Sequence, residues 1–98
     1  MTIEKIKNES SLTLAVAGRL ETLTAPELEK VVKEELTGVK NLVIDLSGLE
    51  YISSAGLRVL LTAQKIMNTQ GAMKVTGANE IVQEVFDITG FSDILTIE

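Results

Sequence analysis

The chain has 98 residues and a mass of 10.6 kDa, 45% apolar and 23% charged, which is enough for one hydrophobic core and too little for two domains. It holds no cysteine and no histidine, which removes disulfides, thiolate nucleophiles, cysteine-based zinc or iron–sulfur sites and the commonest general base and transition-metal ligand. Fourteen acidic against nine basic residues give a net charge of −5, and aromatics are only 3%; both facts oppose binding to phosphate backbones, anionic membranes or single-stranded nucleic acid.

The apolar period alternates between two and about 3.6 along the chain, the signature of strands interleaved with helices. Residues 3–8 read as an edge strand ended by the polar turn Asn8-Glu9-Ser10. From Ser11 to Ala17, Leu12, Leu14 and Val16 alternate with Thr13, Ala15 and Ala17, a strand with one bulky buried face. The short turn between the two predicts an antiparallel hairpin.

Thr24 followed by Glu27 fits a capping box, with Pro26 in the first turn of a helix where its missing N–H costs little. Leu28, Val31, Val32 and Leu36 repeat at helical spacing, Glu29 and Lys33 form an i,i+4 pair, and Gly38 supplies a stop. Leu42 to Leu46 reads as a central strand, and Ser47 to Ile52 as a short loop with Tyr51 as an anchor. A second helix is expected from near Ser53 to about Thr69, with Ser53 as a side-chain N-cap and Arg58, Thr62, Lys65 and Thr69 as a narrow polar stripe. Ala72 to Thr76 is the next strand. Asn79 caps a third helix that stops at Gly90, and Ile94 to Ile97 closes the chain as a last short strand.

The order β-β-α-β-α-β-α-β predicts an α/β domain spanning residues 1–98. Its mixed sheet has an N-terminal antiparallel hairpin followed by parallel β-α-β units. Right-handed crossovers place the helices mainly on one face.

Chemistry is concentrated in Asp45-Leu-Ser-Gly-Leu-Glu-Tyr-Ile-Ser-Ser-Ala-Gly-Leu57. Ser54 falls in the first turn of the buried helix, beside unpaired N–H groups and the positive end of the helix dipole. Ala55 and Gly56 are small and leave that end open. A phosphate there adds about −1.5 to −2 of charge at a helix terminus that favours it, so the modified protein stays folded while its surface turns acidic. A capped helix start, with Gly56 close to the sheet, accounts for the same residues without any function.

These features resemble the STAS domain as found in bacterial anti-sigma factor antagonists. The resemblance spans nearly the whole chain: the element order, Gly18-Arg19-Leu20-Glu21 leading to Thr24-Ala25-Pro26, the block just quoted, and Phe86-Asp-Ile-Thr-Gly-Phe91. It implies that the unphosphorylated protein binds an anti-sigma factor that is also a serine kinase and so frees the sigma factor. It also implies that phosphorylation ends this binding and that a metal-dependent serine phosphatase restores it. Matched position by position, the acceptor is Ser54, and the partner surface takes in Glu21, Thr22, Leu23, Ile52, Ser53, Ala55, Gly56, Leu57 and Arg58. Two departures stand out. Sporulation-type antagonists carry Asp where this chain has Ser53, which makes Ser53 a competing acceptor, and many relatives use Asp where it has Glu21.

Catalysis at Ser54 lacks a base: there is no histidine, no glycine-flanked nucleophile elbow and no Ser-x-x-Lys. Asp45, Glu50 and Glu21 are oxygen donors that need no magnesium to explain them, and neither a phosphate loop nor a dinucleotide fingerprint is present. The expectation is a bacterial, cytoplasmic binding protein and transcription regulator without metal or cofactor. It neither inserts into membranes nor contacts nucleic acid directly; whether it self-associates is left open. The competing reading is a STAS subunit or scaffold of another assembly, such as a lipid-transport or stress-signalling complex.

Overall fold

The computed structural model describes all 98 residues. β1 (Thr2–Asn8) and β2 (Ser11–Leu20) form the hairpin, followed by α1 (Ala25–Glu35), β3 (Asn41–Ile52), α2 (Ser54–Asn68), β4 (Ala72–Thr76) and α3 (Glu80–Thr89). A single 3-10 turn, η1 (Phe91–Asp93), comes last. The sheet order is β1-β2-β3-β4, antiparallel between β1 and β2 and parallel thereafter.

The alternation read from the sequence decides which face of the sheet is covered. Leu12, Leu14 and Val16 of β2, Leu42, Ile44 and Leu46 of β3, and Met73 and Val75 of β4 are all buried. They join Leu28 and Val32 of α1, Leu57, Leu60, Ala63 and Met67 of α2, and Val82 and Phe86 of α3 in one cluster of 24 side chains. The alternate residues Thr13, Ala15, Ala17, Val43 and Asp45 are only half-buried, the pattern of a sheet with helices on one side. Phe86 is the one aromatic among the fully buried side chains; the rest of this core is almost entirely aliphatic.

Five local expectations need correction. The segment Ser47–Ile52 is not a loop, because β3 runs on without a break to Ile52 beside Ala17–Leu20, and Tyr51 sits on that strand. Two register shifts in the β2–β3 pair, between Ala15 and Ala17 and between Gly18 and Arg19, accommodate this. They break the strict alternation, so that Leu49 and Ile52, three residues apart, both point into the core. For the same reason Gly18-Arg19-Leu20 belongs to β2, and the turn begins at Glu21.

The last strand shrinks to one parallel bridge, Val75 to Ile97, held by Val75 N–H to the Thr96 carbonyl (2.8 Å) and Glu98 N–H to the Val75 carbonyl (2.9 Å). Ile94 and Leu95 are lost to the strand because both of their N–H groups donate to the Phe91 carbonyl, at 3.0 and 2.8 Å.

The Thr24 capping box does not form. The Thr24 hydroxyl turns backward, accepting from the Glu21 N–H (2.9 Å) and donating to the Arg19 carbonyl (2.7 Å), while Glu27 N–H bonds the Thr24 backbone carbonyl instead. Ser53 occupies the N-cap position of α2 in extended conformation, yet its hydroxyl makes no cap bond. Asn79, by contrast, caps α3 as expected: its side-chain oxygen accepts from Val82 N–H (2.8 Å), and its amide donates to the Leu49 carbonyl at 3.0 Å. Gly90 ends that helix in the left-handed region.

Candidate functional site at the start of helix α2

β2 and β3 end side by side at Leu20 and Ile52, and the chain leaves both ends toward the same edge of the sheet. From Leu20 it enters a tight turn, in which the N–H groups of Thr24 (3.1 Å) and Ala25 (2.7 Å) both donate to the Glu21 carbonyl. The Glu21 carboxylate accepts from Leu23 N–H at 3.0 Å. This turn holds Leu23 out in solvent, 86% exposed. From Ile52 the chain passes through Ser53 into α2, and Ser53 N–H donates to the Leu20 carbonyl (2.9 Å). The two segments are therefore stitched together where the helix begins.

The two serines have opposite environments. Ser54, the first residue of α2, is exposed. Ser53 is half-buried, and its hydroxyl oxygen is sealed from solvent without a hydrogen-bond partner. The first intrahelical bond runs from Leu57 N–H to the Ser53 carbonyl (3.0 Å). The N–H groups of Ser54, Ala55 and Gly56 consequently find no acceptor in the protein. They give the positive end of the helix its local partial charge.

Gly56 sets how closely this end approaches the sheet. A Cβ there would lie 2.7 Å from Leu20 Cγ and 2.9 Å from Ile52 Cγ1, both in the core. Only a residue without a side chain lets α2 start this low, directly above the strand ends.

The remaining expected residues divide into two groups. Ile52, Gly56 and Leu57 are buried; they place the site. Glu21 and Ala55 are half-buried, and Thr22, Leu23 and Arg58 are exposed. Thr22, Ala55 and Arg58 meet at an open groove of about 210 Å³ between α1 and α2, together with Ala25, Pro26, Glu29 and Val59. The α1 residues of that groove were missed in the sequence, where Pro26 signalled only a helix start. Arg19 is stacked on the Tyr51 ring, 4.7 Å from its centroid. No group of three acidic side chains is arranged to hold a metal ion, and no helix is long and apolar enough to cross a membrane.

The sequence pattern of the STAS domain matches residues 2–98. This chain belongs to the STAS domain family. It is similar to the anti-sigma-B factor antagonist of Bacillus subtilis, with 32% identity across 99% of this chain and 90% of that protein. The fold matches an anti-sigma factor antagonist from Mycobacterium paratuberculosis with a TM-score of 0.89 and 23% identity, covering 98% of this chain and 83% of the other. It also matches the phosphorylated form of the Bacillus cell fate determinant SpoIIAA, with a TM-score of 0.69 and 11% identity over 99% and 91% of the two chains. Anti-sigma factor antagonists are regulatory binding proteins rather than enzymes, and this STAS domain has their fold.

Proposed function

We propose that this STAS protein is an anti-sigma factor antagonist switched by phosphorylation of Ser54. Unphosphorylated, it docks on an anti-sigma factor with serine-kinase activity and releases the sigma factor. The docking surface is the Glu21-Thr22-Leu23 turn with Ala55 and Arg58 at the start of α2. The kinase moves the terminal phosphoryl group of ATP to the Ser54 oxygen, releasing ADP and the hydroxyl proton. A serine phosphatase reverses the modification by hydrolysis.

The observation that carries this reading is the contrast between the neighbouring serines. Ser54 presents its hydroxyl to solvent at a helix terminus that tolerates negative charge, whereas the Ser53 hydroxyl is enclosed. Phosphate at Ser54 leaves the core untouched and places charge in the middle of the docking surface. A charge buried without a partner at an interface costs several kcal/mol, and each ~1.4 kcal/mol is tenfold in affinity.

The test is phosphate transfer from the cognate kinase, read by intact mass. Wild type and Ser53→Ala each gain the mass of one phosphate and lose kinase binding; Ser54→Ala gains none and stays bound. A phosphorylated Ser54→Ala protein refutes the assignment.

A further inference from the structure

The Arg58 side chain makes no hydrogen bond and no ion pair within the protein. It is exposed, and it takes part in none of the three ion pairs, which are Lys5–Glu35, Lys33–Glu29 and Lys74–Glu98. Glu29 shares the groove with it, but the Glu29 carboxylate lies against Lys33 at 3.6 Å. Arg58 follows Ser54 by four residues on α2, so the two stand on one face of the helix, one turn apart. Helical side chains lean toward the N-terminus and cover the preceding turn. From the groove that it lines with Ala55 and Glu29, the Arg58 side chain is long enough to swing back one turn to a group on Ser54. Arg19 is engaged with Tyr51, and Lys65, the other cation of α2, lies two turns farther along the helix.

We infer that Arg58 is the phosphate-binding residue of phosphorylated Ser54. The guanidinium fork takes two phosphate oxygens, and the free N–H groups of the first turn supply donors from the other side. This inference rests on Ser54 being the phosphoacceptor and adds a second arm to the switch. Phosphorylation not only adds negative charge but also withdraws Arg58 from the groove shared with α1, so the partner loses a cation that the unphosphorylated form offers.

The experiment installs phosphoserine at position 54 during translation, which needs no kinase, and follows the ³¹P resonance through a pH titration. A paired guanidinium favours the dianion. The second phosphate ionisation in the phosphoprotein therefore falls below that of the same phosphoprotein carrying Arg58→Ala, by about half a unit to one unit. Arg58→Lys retains part of the shift, Lys65→Ala retains all of it, and high salt narrows the gap. The Arg58 Nε–H resonance also moves between the serine and phosphoserine forms. Superimposable titrations of the phosphoproteins with and without Arg58→Ala would overturn the pairing. If kinase transfer to Ser54 were nonetheless normal, the switch itself would stand without this arm. If the pairing held while no cognate kinase modified Ser54, the switch would fall and the pairing would remain a property of the helix.

Discussion

Replacing Gly56 by Ala tests whether the height of α2 above the strand ends is fixed by packing. The added methyl lies 2.7 Å from Leu20 Cγ and 2.9 Å from Ile52 Cγ1, against a comfortable carbon–carbon separation of about 3.5–4.0 Å. Both neighbours are branch atoms of side chains at 0% and 1% exposure, each at the last residue of its strand, so neither swings aside. Overpacking of this kind costs about 1–3 kcal/mol. Alanine recovers at most ~1 kcal/mol of helix propensity, and less in a first turn. A net loss of about 1–2 kcal/mol, at roughly 4–8 °C per kcal/mol for a domain of this size, lowers Tm by about 5–15 °C. Thermal and urea melts followed by circular dichroism measure it directly. A Gly56→Ala protein as stable as wild type would show that the helix start floats free of the sheet, and the exposure of Ser54 would then need another cause.

Ser53→Ala should be neutral or stabilising by up to ~1 kcal/mol in urea unfolding, because the hydroxyl it removes is buried without a partner, whereas loss of a working N-cap costs about 1 kcal/mol. Asn79→Ala removes both the bond to Val82 N–H and the bond to the Leu49 carbonyl, and should cost about 1–2 kcal/mol in the same assay. Asp87 accepts from Ser92 first and Gln83 second, which holds its carboxyl below the usual carboxylate range. A depressed folded-state value means that this contribution is complete above the unfolded pKa, about 4, and fades as pH falls through the folded one. Ser92→Ala should therefore raise the Asp87 midpoint in a carboxyl ¹³C titration while leaving stability at neutral pH nearly unchanged, since the group is fully exposed.

Repeating patterns made most of the architecture legible. The 3.6-residue repeat of α1 and the Asn79–Gly90 pair marked their helices within one or two residues of the observed ends, and alternating Leu12, Leu14 and Val16 marked β2 but stopped it at Ala17, three residues short of Leu20. The largest misreading originates in a contact between distant segments. The β2–β3 register shifts turn Ser47–Ile52 from an apparent loop into strand, and nothing local to Ser-Gly-Leu-Glu-Tyr-Ile announces a partner in β2, a whole helix earlier in the chain. Thr24 and Ser53 carry the right side chains for capping, but other bonds claim the ground first, local ones at Thr24 and a long-range one at Ser53. The Thr24 hydroxyl is taken by Glu21 and Arg19, and the Ser53 backbone is tied to Leu20. At the site, the first-turn position of Ser54 was readable from helix phase alone. The enclosure of the adjacent hydroxyl and the groove against α1 depend on how two helices pack, which no window of sequence contains.

The distribution of charge makes the proposed phosphate at Ser54 a large perturbation. Residues 1–74 hold nine acidic and nine basic side chains, so the whole net charge of −5 resides in the last 24 residues, from Glu80 to Glu98. Helix α2 is different again: between Ser54 and Asn68 it carries Arg58 and Lys65 and no acidic residue. A partner approaching its N-terminal end meets a cationic helix with the positive end of its dipole foremost. Adding about −1.5 to −2 at Ser54 cancels the formal charge of the entire helix. Because fields at the surface decay within about 8 Å at physiological salt, the acidic C-terminal segment does little to blunt the change for any group beyond that range. A phosphate of equal charge on α3, among Glu80, Glu84 and Asp87, would only deepen a field already negative. On α2 it would remove the positive charge that an approaching partner meets.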